Sequence, residues 1–145
     1  LEDLFDAAHF RIIDKPVDQQ TLFRELCAQL EGEGFVGAEF LDSVVEREAI
    51  VSTMLGEGIA LPHSLGLMAK KTVVYTVLAP QGIPWGDDTA YVIFLLAISK
   101  NEYEEAMAIY DLFVTFMRER AMTRLRDSSD FACFKTVALD CLSRL

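Results

Sequence analysis

The sequence is short of long apolar runs, of basic residues and of cysteine, and each shortage excludes a class of protein. Its longest apolar run extends only from Tyr91 to Ile98, whereas a membrane-spanning helix needs about 20 such residues. No charged segment followed by an apolar one stands at the N-terminus. The default expectation is therefore a cytoplasmic domain that does not insert into a membrane.

Basic residues are outnumbered, with 13 Lys and Arg against 23 Asp and Glu and a formal net charge of −10. Because binding to DNA or RNA needs a basic face, this segment is not expected to bind nucleic acid directly. The three cysteines, Cys27, Cys133 and Cys141, form no close pair. We expect them to be buried reduced thiols on the apolar sides of helices. Only His9 and His63 could complete a zinc site, and no spacing favours one, so neither a metal nor an organic cofactor is expected.

The composition does predict a folded core, because hydrophobic residues make up 52% of the 145 positions. No repeat, linker or low-complexity segment divides it, which predicts one domain over residues 1–145. Hydrophobic periodicity predicts strands at about 10–13, 58–61, 72–78 and 91–98, with helices at about 18–31, 38–48, 99–118 and 130–145. The economical architecture is a single α/β domain with a mixed β-sheet flanked by helices.

Several local signals mark the ends and faces of these elements. Asp18 is the expected N-cap of the first helix, and Ser129 or Asp130 that of the last. Ser99 and Glu102 have the spacing of a capping box at the start of the long third helix. Its inward stripe is predicted to comprise Tyr103, Ala106, Met107, Tyr110, Phe113, Val114 and Met117.

The segment from Gly56 to His63 is the most informative in the chain. Gly56 and Gly58 can adopt backbone conformations closed to other residues and let main-chain N–H groups approach an anion. Pro62 fixes its own φ and favours an extended residue before it, so His63 leaves the strand end in a defined direction. A neutral imidazole can act as a nucleophile through one nitrogen while the other donates to an acceptor, usually a backbone carbonyl. The pattern indicates a site built around His63.

This segment, together with the residues before it, resembles the active-site region of the EIIA domains of the sugar phosphotransferase system, fructose–mannitol class. The resemblance rests on the stretches Glu46–Thr53, Gly56–His63, Ile83–Asp87, Tyr91–Ile98 and Lys100–Glu102, and so spans nearly the whole chain. In that family the histidine matching His63 takes a phosphoryl group from the phosphocarrier HPr and passes it to an EIIB domain. The resemblance thus implies HPr and EIIB as partners.

The resemblance also implies roles for other residues. Arg47 matches an arginine that holds phosphate oxygens, although a cation there could instead cap the end of its helix. Ser52 and Thr53 match a polar pair near the phosphorylation pocket, although such residues are more often turn or cap hydroxyls. Gly58 is expected beside the phosphoryl group with them.

One position departs from the family pattern and bears on the biological role. Transport-type EIIA domains commonly carry a second histidine at the position of Tyr103, which can donate a hydrogen bond to a phosphoryl oxygen but cannot supply a charge. Together with the absence of a starting methionine at Leu1, this favours an EIIA-like domain within a larger regulator of a sugar operon. The alternative within the family is a transport EIIA component for fructose- or mannitol-type sugars.

Two readings from other classes remain open at this point. The first is a hydrolase that pairs His63 with Ser64 or Ser52, although no nucleophile-elbow motif of the G-x-S-x-G type occurs. The second is an interaction module in which His63 has no chemical role. Activity against esters would favour the first, and failure of a competent donor to phosphorylate the chain would favour the second.

Overall fold

The computed structural model describes residues 4–144, which form a five-stranded mixed sheet with helices on both faces. The strands are β1 (Phe10–Ile12), β2 (Met54–Gly56), β3 (Ile59–Ala60), β4 (Met68–Trp85) and β5 (Asp88–Ser99). The helices are α1 (Gln19–Gly32), α2 (Phe40–Ile50), α3 (Tyr103–Arg118), α4 (Met122–Arg126) and α5 (Phe131–Leu142). The strand order is β1-β4-β5-β3-β2, in which the β1–β4 and β3–β5 pairs are parallel and the others antiparallel. The predicted fold class is confirmed.

Strand β5 lies at the centre of the molecule, as its apolar run predicts. Because successive side chains of a strand point to opposite faces, Ile93 and Leu95 join the core under α1 and α2, whereas Phe94 and Leu96 join the core under α3 and α5. All four are buried. A strand covered on both faces is rigid, and β5 is the support against which the site is built.

The helix starts largely follow the local signals. The Asp18 carboxylate accepts a hydrogen bond from the Thr21 backbone N–H at 2.7 Å, and the Asp130 carboxylate accepts one from the Cys133 N–H at 2.8 Å. Both N-cap predictions are confirmed. Helix α2 begins at Phe40, two residues later than predicted, and has no side-chain cap.

The predicted capping box at the start of α3 is wrong in its second half. The Ser99 hydroxyl does accept from the Asn101 N–H at 3.3 Å, but the Glu102 carboxylate accepts from the Thr72 N–H of β4 at 3.1 Å. The Ser99 N–H donates instead to the Thr72 hydroxyl at 3.0 Å. Because the neighbouring strand satisfies these groups, residues 100–102 form a 3₁₀ turn and α3 starts at Tyr103.

The inward face of α3 also differs from the predicted stripe. The buried residues are Ala106, Ile109, Leu112, Phe113, Thr115 and Phe116. Tyr103, Met107 and Val114 are 52%, 44% and 56% exposed. The helix carries two apolar stripes, and the one that meets the Phe94 ring, with Phe113 at 4.6 Å between ring centroids, is the one that packs against the sheet.

Two further features were not predicted. Strand β2 pairs with β3 as a short hairpin, and β4 continues through Pro80 and Pro84 to Trp85. Strand β1 pairs with β4 only from Thr76 to Leu78. Beyond that point one side of β4 is a sheet edge, where a missing proline N–H breaks no ladder bond.

The cysteines follow the expectation at two of three positions. Cys27 and Cys141 are buried, and burial raises the pKa of the Cys27 thiol to about 12, so it behaves as a small hydrophobe. Cys133 is exposed on α5, which corrects the prediction for that residue. Within residues 4–144, no helix combines the length and apolarity that a membrane crossing requires.

Candidate functional site

His63 follows β3 and is fixed to the centre of the sheet by main-chain contacts. The Pro62 carbonyl accepts a hydrogen bond from the Leu96 N–H at 2.9 Å, and His63 forms an isolated parallel bridge with Leu96 of β5. The Leu61 N–H donates to the Thr53 carbonyl at 3.0 Å. The two residues before His63 are therefore tied to the segment before β2 and to β5, which fixes the backbone that carries the ring.

The imidazole itself is oriented by its own backbone. The His63 Nδ1 lies 2.7 Å from the Leu61 carbonyl oxygen, a group that can only accept, so the geometry assigns the proton to Nδ1. The lone pair is then on Nε2. Because the His63 side chain is only partly buried, the structure combines a fixed tautomer with access from outside, as the sequence predicts for a nucleophilic imidazole.

A cavity of about 280 Å³ lies beside this ring. Its lining comes from α2, the segment after β3, β5 and α3, and comprises Arg47, His63, Ser64, Leu65, Gly66, Leu67, Leu96, Ile98 and Tyr110. Among the described residues, Arg47 is the one permanently charged side chain in this lining. Three groups that can contact an anion, the imidazole, the guanidinium and a phenol, thus meet within an otherwise largely apolar wall.

Arg47 makes the helix-end contact that was the alternative to a phosphate-holding role, and it also lines the cavity. Its Nη1 donates to the Val51 carbonyl at 2.5 Å, just past the end of α2, where a cation also interacts well with the helix dipole. A guanidinium has further N–H groups in a planar fork. Its remaining donors are those that could hold an anion beside His63, since Arg47 is in the cavity lining.

Gly58 lies in the β2–β3 turn, outside this cavity lining. Its φ of +90° is in the region that favours glycine. A Cβ at this position would stand 2.8 Å from Cδ2 of Tyr91, and the Gly58 carbonyl accepts from the Tyr91 N–H at 2.8 Å. The structure thus shows a glycine that permits the hairpin to contact β5.

The hydroxyl residues and Tyr103 are likewise not brought to the cavity. The Ser52 hydroxyl accepts from the Met54 N–H at 3.2 Å, the interaction of a turn residue. Thr53 is buried and bonds to Glu48. Tyr103 stands at the exposed start of α3. The structure therefore joins His63 with Arg47, but not with Ser52, Thr53, Gly58 or Tyr103.

Sequence reasoning did not single out Glu48, which supports the site from behind. Its carboxylate accepts from the Thr53 N–H at 2.7 Å, from the Thr53 hydroxyl at 2.5 Å and from the Trp85 Nε1 at 3.1 Å. The Trp85 indole is fully buried. Glu48 thereby connects the end of α2 to the hairpin and to the core. Its place next to Arg47 is the only signal for it in the sequence.

Tyr110 is the second residue that was not predicted in this role. It had been assigned to the apolar stripe of α3, and it lies about two helical turns beyond Tyr103 on the same face. The structure places it in the cavity lining with Arg47 and His63. Burial raises the pKa of the Tyr110 phenol, and the Arg47 charge partly opposes that rise.

The geometry does not support a serine hydrolase. The Ser64 hydroxyl donates to the Gly66 carbonyl, so its proton is not directed at the imidazole. The Ser52 hydroxyl is engaged in the turn described above. A nucleophilic serine needs a hydrogen bond to its base, and the hydrogen bonds that the structure shows for these two hydroxyls are to backbone groups, not to His63. In the part of the chain that the structure describes, no group of three or more His, Cys, Asp or Glu could hold a metal ion.

Two sequence comparisons extend this picture. The curated relatives include the "PTS system mannitol-specific EIICBA component" of Buchnera aphidicola, 40% identical over 78 residues, which are 49% of this chain and 12% of that protein. The "Multiphosphoryl transfer protein" of Haemophilus influenzae is 37% identical over 91 residues, or 60% of this chain and 18% of that protein. The chain thus spans less than a fifth of these relatives.

Solved structures share the fold along nearly the whole chain. The complex of enzyme IIAMTL with phosphorylated enzyme IIBMTL from Escherichia coli aligns with a TM-score of 0.79 at 24% identity, covering 94% of this chain and 97% of that one. Nitrogen regulatory protein IIA-Ntr from Neisseria meningitidis aligns with a TM-score of 0.80 at 21% identity and the same coverages. These likenesses establish the architecture.

The family assignment comes from a match over most of the chain. The family described as "Phosphoenolpyruvate-dependent sugar phosphotransferase system, EIIA 2" matches residues 3–137. This span includes the cavity and each residue that orients the His63 ring. The chain therefore belongs to the EIIA type 2 family of the phosphoenolpyruvate-dependent sugar phosphotransferase system.

Proposed function

We propose that His63 is the phosphoryl acceptor of this domain, that HPr is its donor and that an EIIB domain exchanges the group with it. The observation that carries the proposal is the pairing of a fixed tautomer with a nearby cation. Nδ1 is bound to the Leu61 carbonyl, which leaves the Nε2 lone pair free, and Arg47 lines the same cavity.

The transfer step follows from this arrangement. The Nε2 lone pair attacks phosphorus while the bond from phosphorus to the donor breaks, and the donor departs with that electron pair. Nδ1 keeps its proton and its bond to the Leu61 carbonyl, which stabilises the cationic character of the attacking ring. The Arg47 guanidinium offsets the charge on the phosphoryl oxygens. Onward transfer to EIIB is the same step in reverse.

The surface around the cavity supports a protein as the partner. Leu65 and Leu67, which line the cavity mouth, are 48% and 38% exposed, and Met107 and Val114 are exposed on the same face of α3 as Tyr110. Clustered exposed apolar side chains are typical of docking surfaces. The related Escherichia coli structure is itself a complex of enzyme IIAMTL with phosphorylated enzyme IIBMTL.

Phosphorylation with a defined donor tests the proposal. The domain is incubated with phosphoenolpyruvate, the general phosphotransferase enzymes and HPr, and acid-labile, alkali-stable phosphate is measured. We expect wild type to be labelled and His63→Ala not to be. His9→Ala serves as the matched control, because His9 is bound to Glu33 at 2.6 Å and lies outside the cavity lining. Equal labelling of His63→Ala and wild type would exclude His63.

The rate at which the phosphorylated domain loses its phosphate distinguishes a transport component from a regulatory domain. A transport component must pass phosphate to EIIB quickly, whereas a regulatory domain of a sugar-operon regulator need not. We therefore propose to follow the loss of label from the phosphorylated domain on addition of an EIIB of the mannitol type. Discharge within seconds supports transport, and label retained over many minutes supports the regulatory role that Tyr103 suggests.

A further inference from the structure

The cavity contains a second polar group that could contact the transferred group. Tyr110 is half-buried in its wall, while Tyr103, which occupies the position of the second histidine of transport-type domains, is exposed and outside the lining. A phosphoryl group on His63 would present several oxygens to this cavity. Arg47 is the only charged side chain that the described lining offers them.

The state of the Tyr110 hydroxyl suits it to be a donor. Burial raises the pKa of this phenol, so it is protonated near neutral pH. The Arg47 charge acts on the same pKa, which means that the guanidinium and the phenol are within electrostatic reach of one another. Every fully buried side-chain nitrogen or oxygen in the described residues has a hydrogen-bond partner. Among residues 4–144 the Tyr110 hydroxyl has no such partner, and because Tyr110 is only half-buried and lines the cavity, its O–H is available to a group bound there.

The dimensions of the cavity are consistent with this contact. Its volume of about 280 Å³ is far above the roughly 10–15 Å³ of accessible space that one water molecule needs, so a phosphoryl group fits beside the ring. The rest of the wall includes Leu65, Leu96 and Ile98. In such surroundings a hydrogen bond to a charged oxygen is stronger than in bulk water.

We propose that the Tyr110 hydroxyl donates a hydrogen bond to a phosphoryl oxygen of phosphorylated His63, and that Tyr110 rather than Tyr103 supplies the second contact beside Arg47. This inference rests on the proposed function. The contact forms only when the group is present, so Tyr110 stabilises the phosphorylated state relative to the free domain. It adds no charge, which distinguishes it from a histidine.

The test measures the equilibrium of phosphoryl exchange between phosphorylated HPr and the domain. Tyr110→Phe removes only the hydroxyl, and we expect it to lower the exchange equilibrium constant by about 5- to 20-fold, the range for a partly solvated hydrogen bond to a charged group. Tyr91→Phe is the matched control, because Tyr91 is also half-buried but lies outside the cavity lining. It should leave the constant unchanged. Thermal unfolding of both variants establishes that they are folded.

The outcomes separate this inference from the proposal on which it rests. If wild type takes up no phosphate, the proposed function fails. If wild type is labelled and Tyr110→Phe has the same exchange constant, only the inference about Tyr110 fails. A shift with Tyr103→Phe but not with Tyr110→Phe would overturn it in favour of the position that the sequence indicates. A shift of the phosphohistidine ³¹P resonance in Tyr110→Phe alone would support direct contact.

Discussion

At the scale of single residues, the site depends mainly on two side chains, Arg47 and His63, and on the backbone groups that orient them. Arg47 caps the end of α2 through the Val51 carbonyl and also lines the cavity. His63 is fixed by a bond within its own segment, to the Leu61 carbonyl. Because the acceptor is a backbone atom, no side-chain substitution removes it directly. The orientation of the ring is therefore a property of the backbone after β3.

Arg47→Lys should separate charge from hydrogen-bond geometry. Lysine keeps the positive charge but offers a point charge instead of a planar fork. If the guanidinium holds phosphoryl oxygens in pairs, we expect the phosphorylated fraction at equilibrium with HPr to fall roughly tenfold. Arg47→Gln, which also removes the charge, should lower it further. Quantified labelling at fixed HPr concentration measures both, and equal labelling of wild type and Arg47→Lys would show that charge alone suffices.

Two substitutions of Glu48 separate its hydrogen bonds from its charge, because glutamine can keep all three contacts of the carboxylate whereas alanine removes them. In Glu48→Gln the amide oxygen can still accept from the Thr53 N–H and the Trp85 Nε1, while the amide nitrogen donates to the Thr53 hydroxyl, which can also accept. We expect Glu48→Ala to lower the free energy of unfolding by about 2–4 kcal/mol and Glu48→Gln by about 1 kcal/mol. Urea unfolding followed by the fluorescence of Trp85 measures this, and similar losses in both variants would show that the charge matters more than the bonds.

At the scale of elements, helix α3 presents one apolar face to the sheet and another to the outside. The inner face packs on the Phe94 ring, while Met107 and Val114 remain exposed on the outer one. Tyr110 is on the same side of the helix as Met107 and Val114, but it is half-buried and lines the cavity. The same helix thus supplies part of the core, part of the cavity wall and an apolar surface beside it. A protein partner that covers the cavity would also cover that surface.

The β2–β3 hairpin offers a prediction about an element that carries no cavity residue. Gly58→Ala forces a side chain into a φ of +90° and brings its Cβ within 2.8 Å of Cδ2 of Tyr91. We expect a loss of unfolding free energy of about 1–3 kcal/mol, since strain and a clash both act. Gly32→Ala is the control, because nothing stands within 4 Å of its Cβ and it lies in α1. Chemical denaturation of both variants measures their free energies of unfolding, and equal values would contradict the predicted strain at Gly58.

At the scale of the whole molecule, the elements that could be predicted were those with strong local or periodic signals. The cap at Asp18 and the apolar run of β5 are encoded within a few residues of themselves. The start of α3 depends on Thr72, which is distant in sequence, so a capping motif alone misplaced it. Likewise the choice between the two apolar stripes of α3 is made by the Phe94 ring on the other side of the interface.

The residues of the site likewise differ in how far they could be predicted from local sequence. His63 and Arg47 stand in a recognisable local motif, and the structure brings them to one cavity. Tyr110 comes from a helix much later in the chain, and its residue type is as common in cores as in sites. The family resemblance pointed to Tyr103 instead, because transport-type domains commonly carry a second histidine at that position. Only the packing of α3 on β5 shows which tyrosine lines the cavity together with His63.

The stability of the whole molecule should fall in acid, and the sign follows from three exposed carboxylates. The pKa of Asp18 is lowered by the Thr21 backbone N–H, that of Glu33 by the hydrogen bond to His9, and that of Asp140 by its bond to Arg144. A carboxylate whose pKa is lower in the folded state stabilises that state above its ordinary pKa, and this contribution is lost as the pH falls through the lowered value. The net charge of −10 acts in the opposite direction, because acidification relieves repulsion.

Comparing wild type with the triple variant Asp18→Asn, Glu33→Gln, Asp140→Asn in high salt largely removes this effect of net charge on stability. We expect the unfolding midpoint of wild type to exceed that of the triple variant at about pH 6 and the difference to shrink steadily below about pH 4, and a difference that stays constant down to about pH 2 would contradict the assignment.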